Sequence, residues 1–306
     1  MRSILRKVLW ETKRIKCELE KCLPSHASAK PPVFLVGCGR SGTTILGEWL
    51  GRQRGVVILN EPRDRWFAID PRTDDIGLYR LVGQLDFGEA EVTRSARYAS
   101  HLISQPIGYP RRHLIVEKSP SNVFRLPWLR ILYPNCQFVN LLRDGTEVVA
   151  SICALAESNS YGIASRGERN QWWGRNSCKR DLILRRAQLS GMLSGDPEGL
   201  PEKARASTAA LAEWVMSVEA MACFVETYGR AGVFNVRYED IIKNPELEIT
   251  NLLALLGVNQ KLVSDSVADV FSVRKTPRPQ FEVLCEDADV LMKKRFWETM
   301  KKYGYA

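Results

Sequence analysis

Val33-Phe-Leu-Val-Gly-Cys-Gly-Arg-Ser-Gly-Thr-Thr-Ile-Leu-Gly-Glu-Trp-Leu50 decides how the rest of the chain is read. Its first four residues are apolar and read as a buried parallel strand. Gly37, Gly39 and Gly42 follow as a turn clear of side chains, and Thr43 opens a helix with Ile45, Leu46, Trp49 and Leu50 on its apolar face. A strand, a glycine loop and a helix start in that order aim free backbone N–H groups and the positive end of the helix dipole at one point. That point is an anion site, most often for a phosphate.

The polar residues of the loop separate three nucleotide motifs. Gly37-x-x-x-x-Gly42 with Thr44 two residues on is nearly a Walker A loop, but Thr43 stands where the lysine should. That lysine and its Mg²⁺ neutralise a triphosphate, so ATP chemistry lacks its main cation. Gly37-x-Gly39-x-x-Gly42 also fits the dinucleotide fingerprint, and Glu61, 19 residues after Gly42, sits near the place of a ribose-binding acid. An NAD(P)-dependent oxidoreductase is therefore the alternative reading. Arg40 inside the turn and the Thr43–Thr44 pair favour a different ligand, because a cation and two hydroxyls on one anion exceed what a pyrophosphate asks of this loop.

Downstream, short apolar runs alternate with helical patterns, as in a doubly wound α/β domain with a central, mostly parallel sheet. Val56 to Leu59 is a strand that ends in Asn60-Glu61-Pro62-Arg63. In such sheets ligands gather at the C-terminal ends of strands, which puts Glu61 and Arg63 on the rim of the glycine loop. Either Glu61 is a general base or it is one half of a surface pair with Arg63. His113 to Lys118 is the next strand and delivers Lys118 to the same rim. His113 itself falls about 16 Å from that rim and is structural. Phe138 to Leu142 ends in Arg143-Asp144-Gly145 at a helix start, a second anion site with its own cation. Two anion sites fit a ligand charged at both ends, which NAD is not. Between these elements, 64–112 reads as an insertion with helices over 76–85 and 92–103. A helix is expected over 123–132, bent or interrupted at Pro127.

Composition narrows the classes. The 306 residues carry a formal charge of +9 with 45% apolar residues. The cations are spread along the chain and no nucleic-acid motif is present, so nucleic acid is not an expected partner. No run approaches 18 consecutive apolar residues, and the N-terminus lacks a signal-peptide pattern. None of the eight cysteines forms a CxxC pair, and with three histidines there is no metal-ligand spacing. The expectation is a reduced, cytoplasmic protein without a metal. Residues 1–30 form a basic amphipathic helix (Ile4, Val8, Leu9, Ile15, Leu19) and a linker. The helix either touches an anionic membrane surface through residues 1–20 or packs on its own domain, 31–306.

The loop with Asn60-Glu-Pro-Arg63, Glu117-Lys-Ser-Pro120 and Tyr133-Pro, Leu142-Arg-Asp-Gly145 with Ser151, and Arg237-Tyr-Glu-Asp240 with Leu256-Gly257 resembles the sulfotransferases that use 3′-phosphoadenosine 5′-phosphosulfate (PAPS). The branch with tyrosylprotein sulfotransferases and many bacterial enzymes is most similar. The resemblance covers roughly 32–306 and is weak across 64–112 and 156–205. It implies a P-loop-like sulfotransferase fold and release of 3′,5′-ADP without a metal. Gly39, Arg40, Ser41, Gly42, Thr43 and Thr44 would hold the 5′-phosphosulfate, and Arg143 and Ser151 the 3′-phosphate. Tyr238, Arg274 and Lys275 would be late cofactor contacts. Glu61 would be the base, with Pro62 where the tyrosylprotein branch has Thr, and Lys118 and Arg40 would assist the transfer. The acceptor side is less defined. Arg63 with Trp172 and Trp173 could bind it, the tryptophans stacking on a sugar, or the tryptophans could close the core. Carbohydrate leads as acceptor, ahead of a small metabolite or lipid and then tyrosine. A non-catalytic nucleotide-binding module is a further alternative.

Overall fold

The computed structural model describes residues 2–22, 30–79, 83–108, 113–158, 171–258 and 278–305. At its centre lies a five-stranded sheet of β1 (Val33–Val36), β2 (Val56–Asn60), β3 (Leu114–Lys118), β4 (Gln137–Leu142) and β5 (Val233–Arg237), ordered β2-β3-β1-β4-β5 with every pairing parallel. β1 is flanked on both sides and fully buried, as its continuous apolar run requires.

Alternation along the strands divides the core. Phe34 and Val36 face one side with Val57, Ile115 and Phe138, under α3 (Arg63–Ile69), α6 (Leu126–Leu132) and part of α9 (Glu202–Tyr228). Val33 and Leu35 face the other with Val116, Val139 and Leu141, under α2 (Thr43–Gly51), α10 (Tyr238–Lys243) and α11 (Pro245–Leu255). Beyond the sheet a helical layer joins α7 (Gly145–Ser158), α8 (Cys178–Leu189), α9, α12 (Arg278–Leu284) and α13 (Val290–Lys302) around Trp214, Phe281 and Phe296. Among the described residues α9 is the one helix long and apolar enough to cross a membrane, and the core takes up most of it.

Two short helices, α4 (Arg94–Ala99) and α5 (His101–Ser104), match the expected helix over 92–103. No helix forms over the described part of 76–85. The Asp74 carboxylate there accepts the N–H groups of Leu78 and Tyr79 at 2.7 and 2.8 Å, and Gly77 turns through φ 66°. A side chain that satisfies local N–H groups competes with helical bonding and gives a turn. Pro127 acts as expected: a 3₁₀ stretch over Pro120–Arg125 precedes it, and α6 begins at Leu126, where a proline in the first turn removes no needed donor. α1 (Arg2–Lys21) lies against α3 and α5. All eight thiols are free.

Candidate active site

The loop after β1 keeps its shape through backbone that only glycine tolerates. Gly37 has φ 137°, and a Cβ there would lie 2.4 Å from the carbonyl oxygen of Leu141 in β4. Gly42 has φ 98°, and a Cβ would meet the Tyr238 ring at 2.5 Å. Gly42 is also the N-cap of α2 and offers no side-chain cap. The first N–H groups of α2 thus remain open toward the loop, as an anion cradle requires. Gly37→Ala is expected to destabilise the fold by roughly 3 kcal/mol in urea titration. Gly55→Ala, also at positive φ but with open space around it, is the control and costs about 1 kcal/mol.

Arg40 and Glu61 adopt φ of 70° and 45°, a region uncommon for residues with a Cβ. Strain of this kind persists only where the surroundings fix it. Arg40 donates from Nε to Ser151 Oγ in α7 at 3.0 Å, and its carbonyl accepts from Arg143 Nη1 at 3.2 Å. Two arginines and a serine, expected on two different elements, therefore meet at one rim. Arg40 was expected on the sulfuryl end; its side chain stands instead with Arg143 and Ser151. The Arg143 guanidinium lies over the Tyr238 ring at 4.5 Å, and Tyr238 is buried between it and Gly42. Asp144 caps α7 by accepting from Thr146, while its own N–H donates to Glu239 at 2.8 Å. The Leu142-Arg-Asp-Gly145 and Arg237-Tyr-Glu-Asp240 motifs are thus joined side by side.

Beside this lies a second cluster. Lys118, 1% exposed at the end of β3, donates to Thr44 Oγ1 at 3.0 Å and to Glu61 Oε1 at 2.8 Å. Arg63 holds the other oxygen of Glu61 at 3.1 Å. Burial pushes the Glu61 carboxyl up, but the Arg63 and Lys118 charges outweigh it and hold the group below the usual carboxylate range. The two residues are also joined through the backbone, where Glu61 N–H donates to the Lys118 carbonyl at 2.7 Å. Neighbouring Glu117 points to the opposite face of β3, where Trp66, Ser119 and Asn122 donate to it; burial raises its pKa to about 7.

Sequence reasoning missed Asp75. It is buried, and it accepts from Arg63 Nη1 at 3.1 Å with Arg125 Nη2 3.9 Å away, so that Arg63 bridges two carboxylates. Nothing in the insertion's pattern marked this one acid among several. Arg63, Asp75, Ser119, Ser121 and Arg125 line a small polar recess here.

The tryptophans go to the core. Trp173 is 1% exposed, and a Cβ on Gly39 would touch Trp172 at 2.7 Å. Lys179 stacks 4.6 Å from the Trp172 ring and pairs with buried Glu213 at 2.7 Å. This pair of rings supports the loop from beneath, leaving too little open face to stack on an acceptor. Arg274 and Lys275 lie outside the described residues.

The residues present suit an anionic nucleotide with charge at two ends: an open helix start, two arginines at one rim and a lysine beside a carboxylate. They do not suit a dinucleotide. In the dinucleotide-binding order β2 adjoins β1 and brings its acid to the ribose, whereas here β3 intervenes, and Lys118 and Arg63 engage Glu61.

Comparison with known proteins agrees with this geometry. The Sulfotransferase family model matches residues 31–186. Nodulation protein NoeE of Sinorhizobium fredii is 25% identical over 235 residues, which cover 73% of this chain and 49% of that protein. The chain thus spans about half the length of this curated relative. Among solved structures, the sulfotransferase domain of the curacin biosynthetic pathway aligns with a TM-score of 0.51 at 16% identity, over 91% of this chain and 99% of that one. The sulfotransferase domain of the Synechococcus PCC 7002 olefin synthase aligns with a TM-score of 0.51 at 18% identity, over 92% and 98%. These two share its fold. With the parallel sheet, the glycine loop and a family match over half its length, the chain belongs to the sulfotransferase family.

Proposed function

We propose that this protein moves the sulfuryl group of PAPS to an acceptor hydroxyl, and that residues 31–306 form the unit that does so. The observation that carries the proposal is Glu61 held between Lys118 and Arg63 beside the open start of α2. PAPS supplies an activated sulfuryl group and a nucleotide leaving group. Arg40, Arg143 and Ser151 hold the ribose-side phosphate, and the loop amides with Ser41, Thr43 and Thr44 hold the sulfur-bearing end. Lys118 sits where charge develops on the departing oxygen, and Glu61 takes the proton of the acceptor hydroxyl. Positioning and cations carry most of the rate, as in phosphoryl transfer.

The acceptor is proposed to be a carbohydrate. This proposal does not draw on the tryptophans, which the core takes up. A thermal-shift series with 3′,5′-ADP, ATP–Mg²⁺ and NADPH tests the cofactor. At a hundredfold excess over Kd a selective ligand adds about 2.7 kcal/mol. That is a rise of a few degrees in Tm. The rise is expected with 3′,5′-ADP; a rise with NADPH alone returns the chain to the dinucleotide reading.

A further inference from the structure

The helix α1 is docked through Cys17 and an acidic residue, Glu20. Glu20 is 4% exposed, and its carboxylate accepts from Arg65 Nη1 at 2.9 Å. The Glu20 carbonyl meets His101 Nε2 at 3.1 Å, and buried Cys17 donates to Asp64 Oδ2 at 3.5 Å. The outward side is mixed: two apolar side chains stand among exposed Lys13, Arg14, Lys16 and Glu18. Ile15 and Leu19, one turn apart, are 55% and 67% exposed. At about 100° per residue, positions 4 and 8, also apolar in the sequence, fall in the same register as 15 and 19. An amphipathic helix that belonged only to its own domain would bury this stripe and expose its carboxylates. α1 packs on the domain, as one of the two sequence readings has it, but leaves Ile15 and Leu19 uncovered.

We infer that the exposed face of α1 rests on an anionic lipid surface. The helix carries seven basic residues against three acidic ones, and the Lys16 side chain beside the stripe is 62% exposed. An apolar stripe bordered by cations matches the boundary between acyl chains and anionic headgroups. A second copy of the chain fits less well, because it would oppose one basic helix to another. Two exposed side chains per copy are also a small contact for a stable dimer. Binding to lipid should be reversible and salt-sensitive, since neither the stripe nor the charge suffices alone.

The test is co-sedimentation of the full chain with vesicles of phosphatidylcholine alone and of phosphatidylcholine with about one third phosphatidylserine. Binding to the anionic vesicles is expected to be at least about tenfold stronger, and to fall away in about 0.5 M salt. Ile15→Ser with Leu19→Ser keeps the charge unchanged. This double variant should lose about tenfold in binding while keeping the Tm of the parent, because both side chains are exposed. Equal binding to the two vesicle types overturns the inference. So does a double variant that binds like the parent, which would mean that the overall basic charge acts alone. Sedimentation velocity that finds a dimer abolished by the double variant reassigns the face to a second copy.

Discussion

Glu61→Gln is expected to lower turnover by about 10³-fold, within the range attributed to a general base, while 3′,5′-ADP binds within a few-fold of the parent. The amide keeps the size and one acceptor oxygen of the carboxylate. It cannot take a proton, and its NH₂ must face either Lys118 or Arg63, both of which donate to Glu61 at 2.8 and 3.1 Å. Two cations then stand less compensated beside the loop, which favours an anionic nucleotide rather than repelling it. Single-turnover rates and calorimetric titration with 3′,5′-ADP separate the two effects. Loss of nucleotide binding with the rate of bound substrate unchanged would move Glu61 from the base to the cofactor cradle. In the resting geometry two cations on this carboxylate depress its affinity for a proton, which would make it a weak base. On the proposed role of Glu61, full basicity would require that Lys118 be drawn toward the donor's oxygens, which would couple base strength to donor binding through one ammonium group.

What the sequence disclosed, and what it did not, follows from the range of the interactions. β1, its glycine loop and the start of α2 are written in consecutive residues, although the contacts that require the three glycines come from the distant Leu141, Trp172 and Tyr238. The rim was legible because parallel strands all end on one side, so Glu61, Lys118 and Arg143 had to share it. Strand order was not legible from local pattern. That β3 slips between β1 and β2 depends on long-range pairing, and it is what separates this site from a dinucleotide fold. Arg40 also escaped. Its carbonyl and side chain are fixed by Arg143 and Ser151, more than 100 residues away, and no spacing rule reaches that far. Asp75 sits in a segment whose helix-like apolar spacing is overruled by the Asp74 turn, so its pairing with Arg63 could be seen only once the chain was folded. For Trp172 and Trp173 the sequence left two readings open, and the core takes both rings, with Trp172 filling the space under Gly39.

Lys118→Met gives the second large effect, and its pH profile tests the coupling between donor and base. Methionine retains the aliphatic stem that passes near Gly47 and removes the charge. Loss of one cation from developing negative charge is expected to cost about 10²–10³-fold in kcat. The sign of the accompanying shift is fixed by geometry. Lys118 and Arg63 together depress the Glu61 carboxyl against a desolvation that raises it. Without Lys118 the desolvation is opposed by Arg63 alone, so the Glu61 pKa rises. The acid limb of kcat/KM, which reports the free enzyme, then moves to higher pH, by about one unit for a loss of 1.4 kcal/mol of charge stabilisation. A merely structural lysine would lower activity at every pH without moving the limb. Pairing the two variants completes the argument: with Gln at position 61 the limb that belongs to this carboxylate disappears, and adding Lys118→Met can shift nothing further. A limb that still moves in the double variant would show that another group takes the proton, and Asp75, joined to Glu61 through Arg63, would be the first place to look.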